Sequence, residues 1–165
     1  MAMKNKRMLT VIIAAVLVVA VAVLAAIVIN NGSKSPEDSL NAMVNALNNL
    51  DFDAYVNTLH PALRADARKG MTPDKETAYM HSLRAALLEG YPEGTKIQLT
   101  VWESYDLDSA AIISIEDQYK KLGYSINVSD AKMYYYYSVI LPSGEPEGLD
   151  SITLVCSNGK WYLLI

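Results

Sequence analysis

Residues 149–165 read LDSITLVCSNGKWYLLI, and this stretch decides the fold class. Two apolar runs, 152–156 and 161–165, flank the dipeptide Asn158-Gly159. Asn-Gly between alternating apolar runs is the strongest short-range hairpin signal, because a two-residue turn needs positive φ at both central positions. Such a turn sets the register. Cys156 opposes Trp161, Val155 opposes Tyr162, Leu154 opposes Leu163 and Ile152 opposes Ile165. Side chains alternate along a strand, so Ile152, Leu154, Cys156, Trp161, Leu163 and Ile165 collect on one face. That face is expected to meet the helices.

Working upstream, 142–148 (PSGEPEG) reads as a loop and 126–141 as a long strand containing Tyr134-Tyr135-Tyr136-Tyr137. Tyr135 and Tyr137 share parity with Met133, Val139 and Leu141 and are expected in the core. Tyr134 and Tyr136 share parity with Lys132 and Ser138 and are expected to point away. A further strand opens at Lys96, where Ile97, Leu99 and Val101 alternate with Gln98, Thr100 and Trp102. Trp102 and Tyr162 fall on the outer side by the registers of their own strands. The candidate interaction face is therefore Trp102, Tyr134, Tyr136 and Tyr162, opposite Ile97, Met133, Leu154 and Trp161. Tyr and Trp suit this use because each buries a large area while keeping a polar handle. The competing reading is a solvated, Tyr-rich strand face selected by β-propensity alone.

The remaining elements read as helices. Ser35 is an N-cap, Pro36 suits the first helical position, and Glu37 and Asp38 complement the dipole. Leu40, Met43, Val44 and Leu47 then form one helical face, and Asn48-Asn49 closes it. Asp51 caps a second helix carrying Phe52, Tyr55, Val56 and Leu59, which ends before Pro61. A short turn covers 62–69, with Gly70 as its stop. Thr72-Pro73 opens a helix bearing Met80, Leu83, Ala86 and Leu87. Residues 109–122 are ambiguous with a strand, but Ile112, Ile115, Tyr119 and Leu122 keep helical spacing between Asp108 and Gly123. The order predicts an α+β domain over 35–165, with helices packed on one face of a curved antiparallel sheet.

The N-terminal part obeys a different chemistry. Residues 8–29 (MLTVIIAAVLVVAVAVLAAIVI) contain a single residue, Thr10, that is not apolar. A helix of that length rises about 33 Å, enough to cross a hydrocarbon core of about 30 Å. Lys4, Lys6 and Arg7 precede it, so residues 1–7 are expected in the cytoplasm as a basic flank. The domain then follows a linker at 30–34, outside the cell membrane. The lipid bilayer is thus a predicted partner, through 8–29. Ala20-Val21-Ala22 fits a signal-peptidase pattern, but the apolar run continues seven residues past it. Signal h-regions run about 7–15 residues, which favours an uncleaved signal anchor over a cleaved signal peptide.

Charge divides at the same point. Of 14 basic residues, Lys4, Lys6, Arg7 and Lys34 lie in 1–34, which holds no acid, leaving 10 against all 18 acidic residues. A domain with that excess of carboxylates is no nucleic-acid partner, since binding phosphates needs a clustered basic face.

The run SLNAMVNALNNLDFDAYVNTLHP (39–61) with a late sheet ending in NGKWYL (158–163) resembles the NTF2-like or cystatin-like extracytoplasmic domains of bacterial membrane-anchored proteins. The resemblance implies helices packed into a curved antiparallel sheet, and spans most of 36–165. It carries over no functional residue, because no catalytic motif of an enzymatic branch is matched.

Candidate chemistry is sparse. The strand ITLVC (152–156) looks like the one preceding a sortase nucleophile, but Val155 replaces the expected threonine and no downstream arginine follows Cys156. Cys156 also faces inward by the hairpin register, where a thiol behaves as a small hydrophobe. His60 and His81 lack metal-ligand spacing and read as surface or capping residues. Asp51-x-Asp53 and Asp106-x-Asp108 sit where helices start and read as caps. The sequence therefore implies no catalytic residue, metal or cofactor. Its reading is a non-enzymatic binding or envelope-interaction module, with a protein partner or self-association through the outer sheet face. The alternative is a small-molecule enzyme of the NTF2-like fold, isomerase- or dehydratase-like, which would need a carboxylate or His base inside an apolar cone.

Overall fold

The computed structural model describes residues 33–164, which belong to one compact unit. The expected basic flank at 1–7, the transmembrane helix at 8–29, the linker residues 30–32 and Ile165 lie outside the described residues. Among the described residues, no helix is long and apolar enough to cross a membrane.

The domain is α+β. Four helices come first: α1 (Pro36–Asn49), α2 (Phe52–Thr58), α3 (Pro61–Ala67) and α4 (Pro73–Leu88). Then come β1 (Lys96–Asp106), α5 (Ser109–Lys121), β2 (Asp130–Ile140), β3 (Pro146–Ser157) and β4 (Lys160–Leu163). The strands form one antiparallel sheet in the order β1-β2-β3-β4.

Local grammar sets the helix starts as expected. Ser35, Asp51 and Asp108 accept hydrogen bonds from the amides of Asp38, Ala54 and Ala111, satisfying donors that a first turn cannot pair internally. Residues 109–121 are helical, which resolves the one ambiguous segment. The Asn158-Gly159 turn has φ of 53° and 72°, and the β3–β4 register pairs Cys156 with Trp161, Val155 with Tyr162 and Leu154 with Leu163.

The helices do not all lie on one face, contrary to the expectation. Leu154 and its neighbour Val155 are both fully buried, and Trp161 and Tyr162 are buried as well. Adjacent strand residues point to opposite faces, so both faces are covered here. Leu154 and Trp161 pack with Leu40 of α1 and with Tyr134. Val155 and Tyr162 pack with Ala131, Ile126 and Val128, under Ile112, Ile115 and Tyr119 of α5. Segment 126–128 is thus core-forming loop rather than strand, and β2 begins at Asp130. A third cluster (Leu47, Phe52, Val56 and Met80) joins α1, α2 and α4.

The two sheet edges differ. β4 is covered by isolated bridges from Ser33 to Trp161 and from Leu59 to Leu163. β1 is the other edge, and its pairing with β2 shifts twice, between Ile97 and Thr100 and again between Val101 and Glu103. Such bulges bend a strand and re-aim its side chains.

Candidate interaction surface

The four aromatics predicted to form an outer face are not brought together. β2 and β3 pair in one unbroken register, with Tyr134 opposite Ile152 and Tyr136 opposite Asp150. Directly opposed residues share a face, so Tyr134 and Tyr136 lie on the side of Ile152 and Leu154, where Leu40 of α1 packs against Tyr134. Tyr134 is 1% exposed and Tyr136 8%. Tyr162 does lie on the face opposite Trp161, as predicted, but α5 and α3 cover it and it is 6% exposed. Only Trp102 stands open, at 60% exposure, as the extra residue of the second β1 shift.

The inversion has a physical cause. Val139 and Leu141 were expected to set the inward parity of the strand. Burial along β2 instead runs Ala131, Tyr134, Tyr136, Val139, moving from odd to even positions and back. A strand covered on different faces along its length has no single inward parity. The usable signal was loop length. The backbone closes over 141–145, with Leu141 N–H donating to the Glu145 carbonyl at 2.8 Å, and Ile140 pairs with Pro146. A short hairpin loop of that kind is commoner than the seven-residue loop read from PSGEPEG, and it would have opposed Tyr134 to Ile152.

Tyr134 is instead a structural tie. Its hydroxyl donates to Glu37 Oε1 at 2.6 Å, linking the first turn of α1 to the sheet. Burial, then this hydrogen bond, holds the phenol well above its ordinary range. The Tyr134 hydrogen bond in turn lowers the Glu37 carboxyl below its ordinary value. Burial, reinforced by Asp150, pushes the Tyr136 phenol up to about 12.

The open aromatic face is the other half of the tyrosine run. Tyr135 lies opposite Glu103 on β1 and Ser151 on β3, while Tyr137 lies between Thr100 and Leu149. Tyr105, opposite Met133, packs edge-on against Tyr135 with ring centroids 5.9 Å apart. Tyr135 and Tyr137 are half-buried, whereas Tyr105 and Leu149 are 47% and 52% exposed. A hydrogen bond to Glu103 raises the Tyr105 phenol above its ordinary value. Val101 and Trp102 are also exposed at this edge of the sheet. The sequence reading missed Tyr105, Tyr135, Tyr137 and Leu149 because their face follows from the β1–β2 and β2–β3 registers together.

The other candidates resolve locally. Cys156 is half-buried beside the Leu154–Trp161 cluster rather than fully enclosed. Asp51 and Asp108 are caps, while Asp53 pairs with Arg68 and Asp106 with Lys132 at 3.0 Å. His81 is exposed. His60 does cap, its Nδ1 accepting from Ala62 N–H at 3.3 Å, but it is buried and not a surface residue. Among the described residues, no group of three His, Cys, Asp or Glu side chains is placed to hold a metal ion. No known family model matches the chain, and no curated protein matches it.

Proposed function

We propose that this chain is a single-pass membrane protein with a cytoplasmic N-terminus, displaying residues 35–165 outside the membrane as a non-enzymatic binding or envelope-interaction module of NTF2-like or cystatin-like type. The anchor rests on the apolar run at 8–29 and its basic flank. One observation carries the interaction reading. The outer part of the sheet presents Tyr105, Tyr135, Tyr137 and Leu149 on one face and ends in a strand edge bearing Trp102. An exposed edge with adjoining aromatics provides backbone hydrogen-bonding groups and large amphipathic contact area together. The space between α1 and the sheet is filled by Leu40, Tyr134, Leu154 and Trp161, which supports a module over an enzyme with an apolar cone.

The test is site-specific photocrosslinking in intact cells. A crosslinker at Trp102 or Tyr105 should form discrete adducts, while one at exposed His81 on α4 should not. Absence of adducts at 102 and 105, or equal adducts at 81, would refute the surface. Protease added to intact cells should digest 35–165 and leave a membrane-embedded stub. Recovery of a soluble form starting near Val23 would refute the anchor.

A further inference from the structure

His60 occupies an unusual position for an ionisable side chain. It is 5% exposed and sits between Leu59, which bridges to Leu163 at the covered edge of the sheet, and the first turn of α3. Its amide donates to the Leu163 carbonyl at 3.1 Å, so the residue joins α3 to β4 through the main chain. Its ring makes a second connection. Nδ1 accepts from Ala62 N–H, which places the single proton of the neutral ring on Nε2. Nε2 is buried without a hydrogen-bond partner. The ring packs edge-on against Tyr162 of β4, with centroids 5.5 Å apart and planes at 76°.

The titratable groups facing the ring are Arg64 from α3 and Tyr162 from β4. The Arg64 guanidinium lies 5.6 Å from the centre of the Tyr162 ring and donates to the carbonyls of Leu59 at 3.0 Å and Asn57 at 2.9 Å. One step further out are Arg68, acting on Arg64, and Cys156, acting on Tyr162.

We infer that His60 is an acid-released latch: protonating its ring frees the segment 59–67 from β4 while the rest of the domain stays folded. Three features of the geometry disfavour a protonated ring in the closed state. A protonated Nδ1 becomes a donor aimed at the Ala62 N–H donor, so the cap of α3 is lost. The added charge stands beside Arg64, a like charge held in place by two carbonyls. The charged ring is also enclosed, with Nε2 still lacking an acceptor. Burial first, and then Arg64, lowers the His60 pKa below its ordinary 6.5, in agreement with this geometry. The sign follows. With the folded pKa lowered, the closed state binds fewer protons than the open one, so closure is favoured above the ordinary value and lost as pH falls below it. α3 is only seven residues long, too short to persist without its cap and tertiary contacts. The inference rests on this geometry alone and is independent of the surface that a partner would use.

The test is amide hydrogen exchange on the full chain in detergent micelles at pH 7, 6 and 5, with rates corrected for intrinsic exchange. Segments 59–67 and 160–164 should lose protection by up to about tenfold per pH unit below about 6.5, the limit for one linked proton. Segment 73–88 should keep its protection. His60→Asn retains a capping acceptor and does not titrate, so its protection should be independent of pH. Unchanged wild-type protection, equal loss in the variant, or equal loss over 73–88 would each overturn the latch. If the variant does not fold, NMR titration of the wild-type imidazole decides. A midpoint below 6.5 that tracks the loss of protection supports the latch, and a midpoint at or above 6.5 overturns it.

Discussion

Tyr134→Ala tests the inverted sheet most directly. If even positions of the Tyr134–Tyr137 run faced outward, removing this ring would cost a few tenths of a kcal/mol, as for most surface changes. The structure instead has the ring 1% exposed against Leu40, Leu154 and Trp161. A buried aromatic covers about 150–250 Å², which at about 25 cal/mol per Å² is about 4–6 kcal/mol as an upper bound. Measured truncations of buried Phe and Trp to Ala cost about 3–5 kcal/mol, so a loss of about 3–5 kcal/mol is expected for Tyr134→Ala. Tyr134→Phe separates packing from the hydroxyl. It keeps the ring and removes only the bond to Glu37, a carboxylate at the exposed start of α1 that water can rehydrate. Its cost should be about 1 kcal/mol. Tyr135→Ala, on the half-buried opposite face, should fall between the two. The assay is urea unfolding of a fragment spanning 32–165, with midpoint and slope fitted for each variant. A Tyr134→Ala loss below about 1 kcal/mol, or a Tyr135→Ala loss exceeding it, would mean that β2 is shifted by one residue against β3, which exchanges the two faces.

Further measurements follow from the same structure. Tyr134→Phe should also flatten the acid limb of stability. The folded Glu37 pKa is lowered from 4.5, so its contribution is present above that value and lost as pH falls through the folded one; unfolding midpoints of wild type and variant should converge between about pH 5 and 3. Gly148→Ala should destabilise by about 1–2 kcal/mol or more, since φ is +75° and an added Cβ would collide with Ser138 Oγ and approach the Tyr91 hydroxyl at 2.9 Å. Thermal melts of Gly148→Ala alone and combined with Ser138→Ala should show partial rescue in the double variant. Asp108→Ala removes the cap on α5 and should cost about 1 kcal/mol, read by the same unfolding assay.

What the sequence determined by itself is what short-range chemistry controls. Asn158-Gly159 has to turn with positive φ at both residues, and the turn carries the β3–β4 register with it. Ser35, Asp51 and Asp108 mark helix starts because a capping side chain reaches amides two or three residues away and nothing else. Helical spacing separated 109–121 from a strand because α5 packs one half-buried stripe, Ile112, Ile115 and Tyr119, against the core. The faces of β2 were decided only in three dimensions. Alternation assigns a side when one face is dry and the other wet. Here α1 covers Tyr134 from one side and α5 covers Ala131 from the other, so hydrophobicity along the strand carries no unique parity. The two shifts in β1 that leave Trp102 exposed arise from fitting that edge to β2, and its own period-two pattern does not encode them. His60 reads as an ordinary residue before proline, and it becomes a buried, half-satisfied imidazole only because Leu163 and Tyr162, a hundred residues later, close over it.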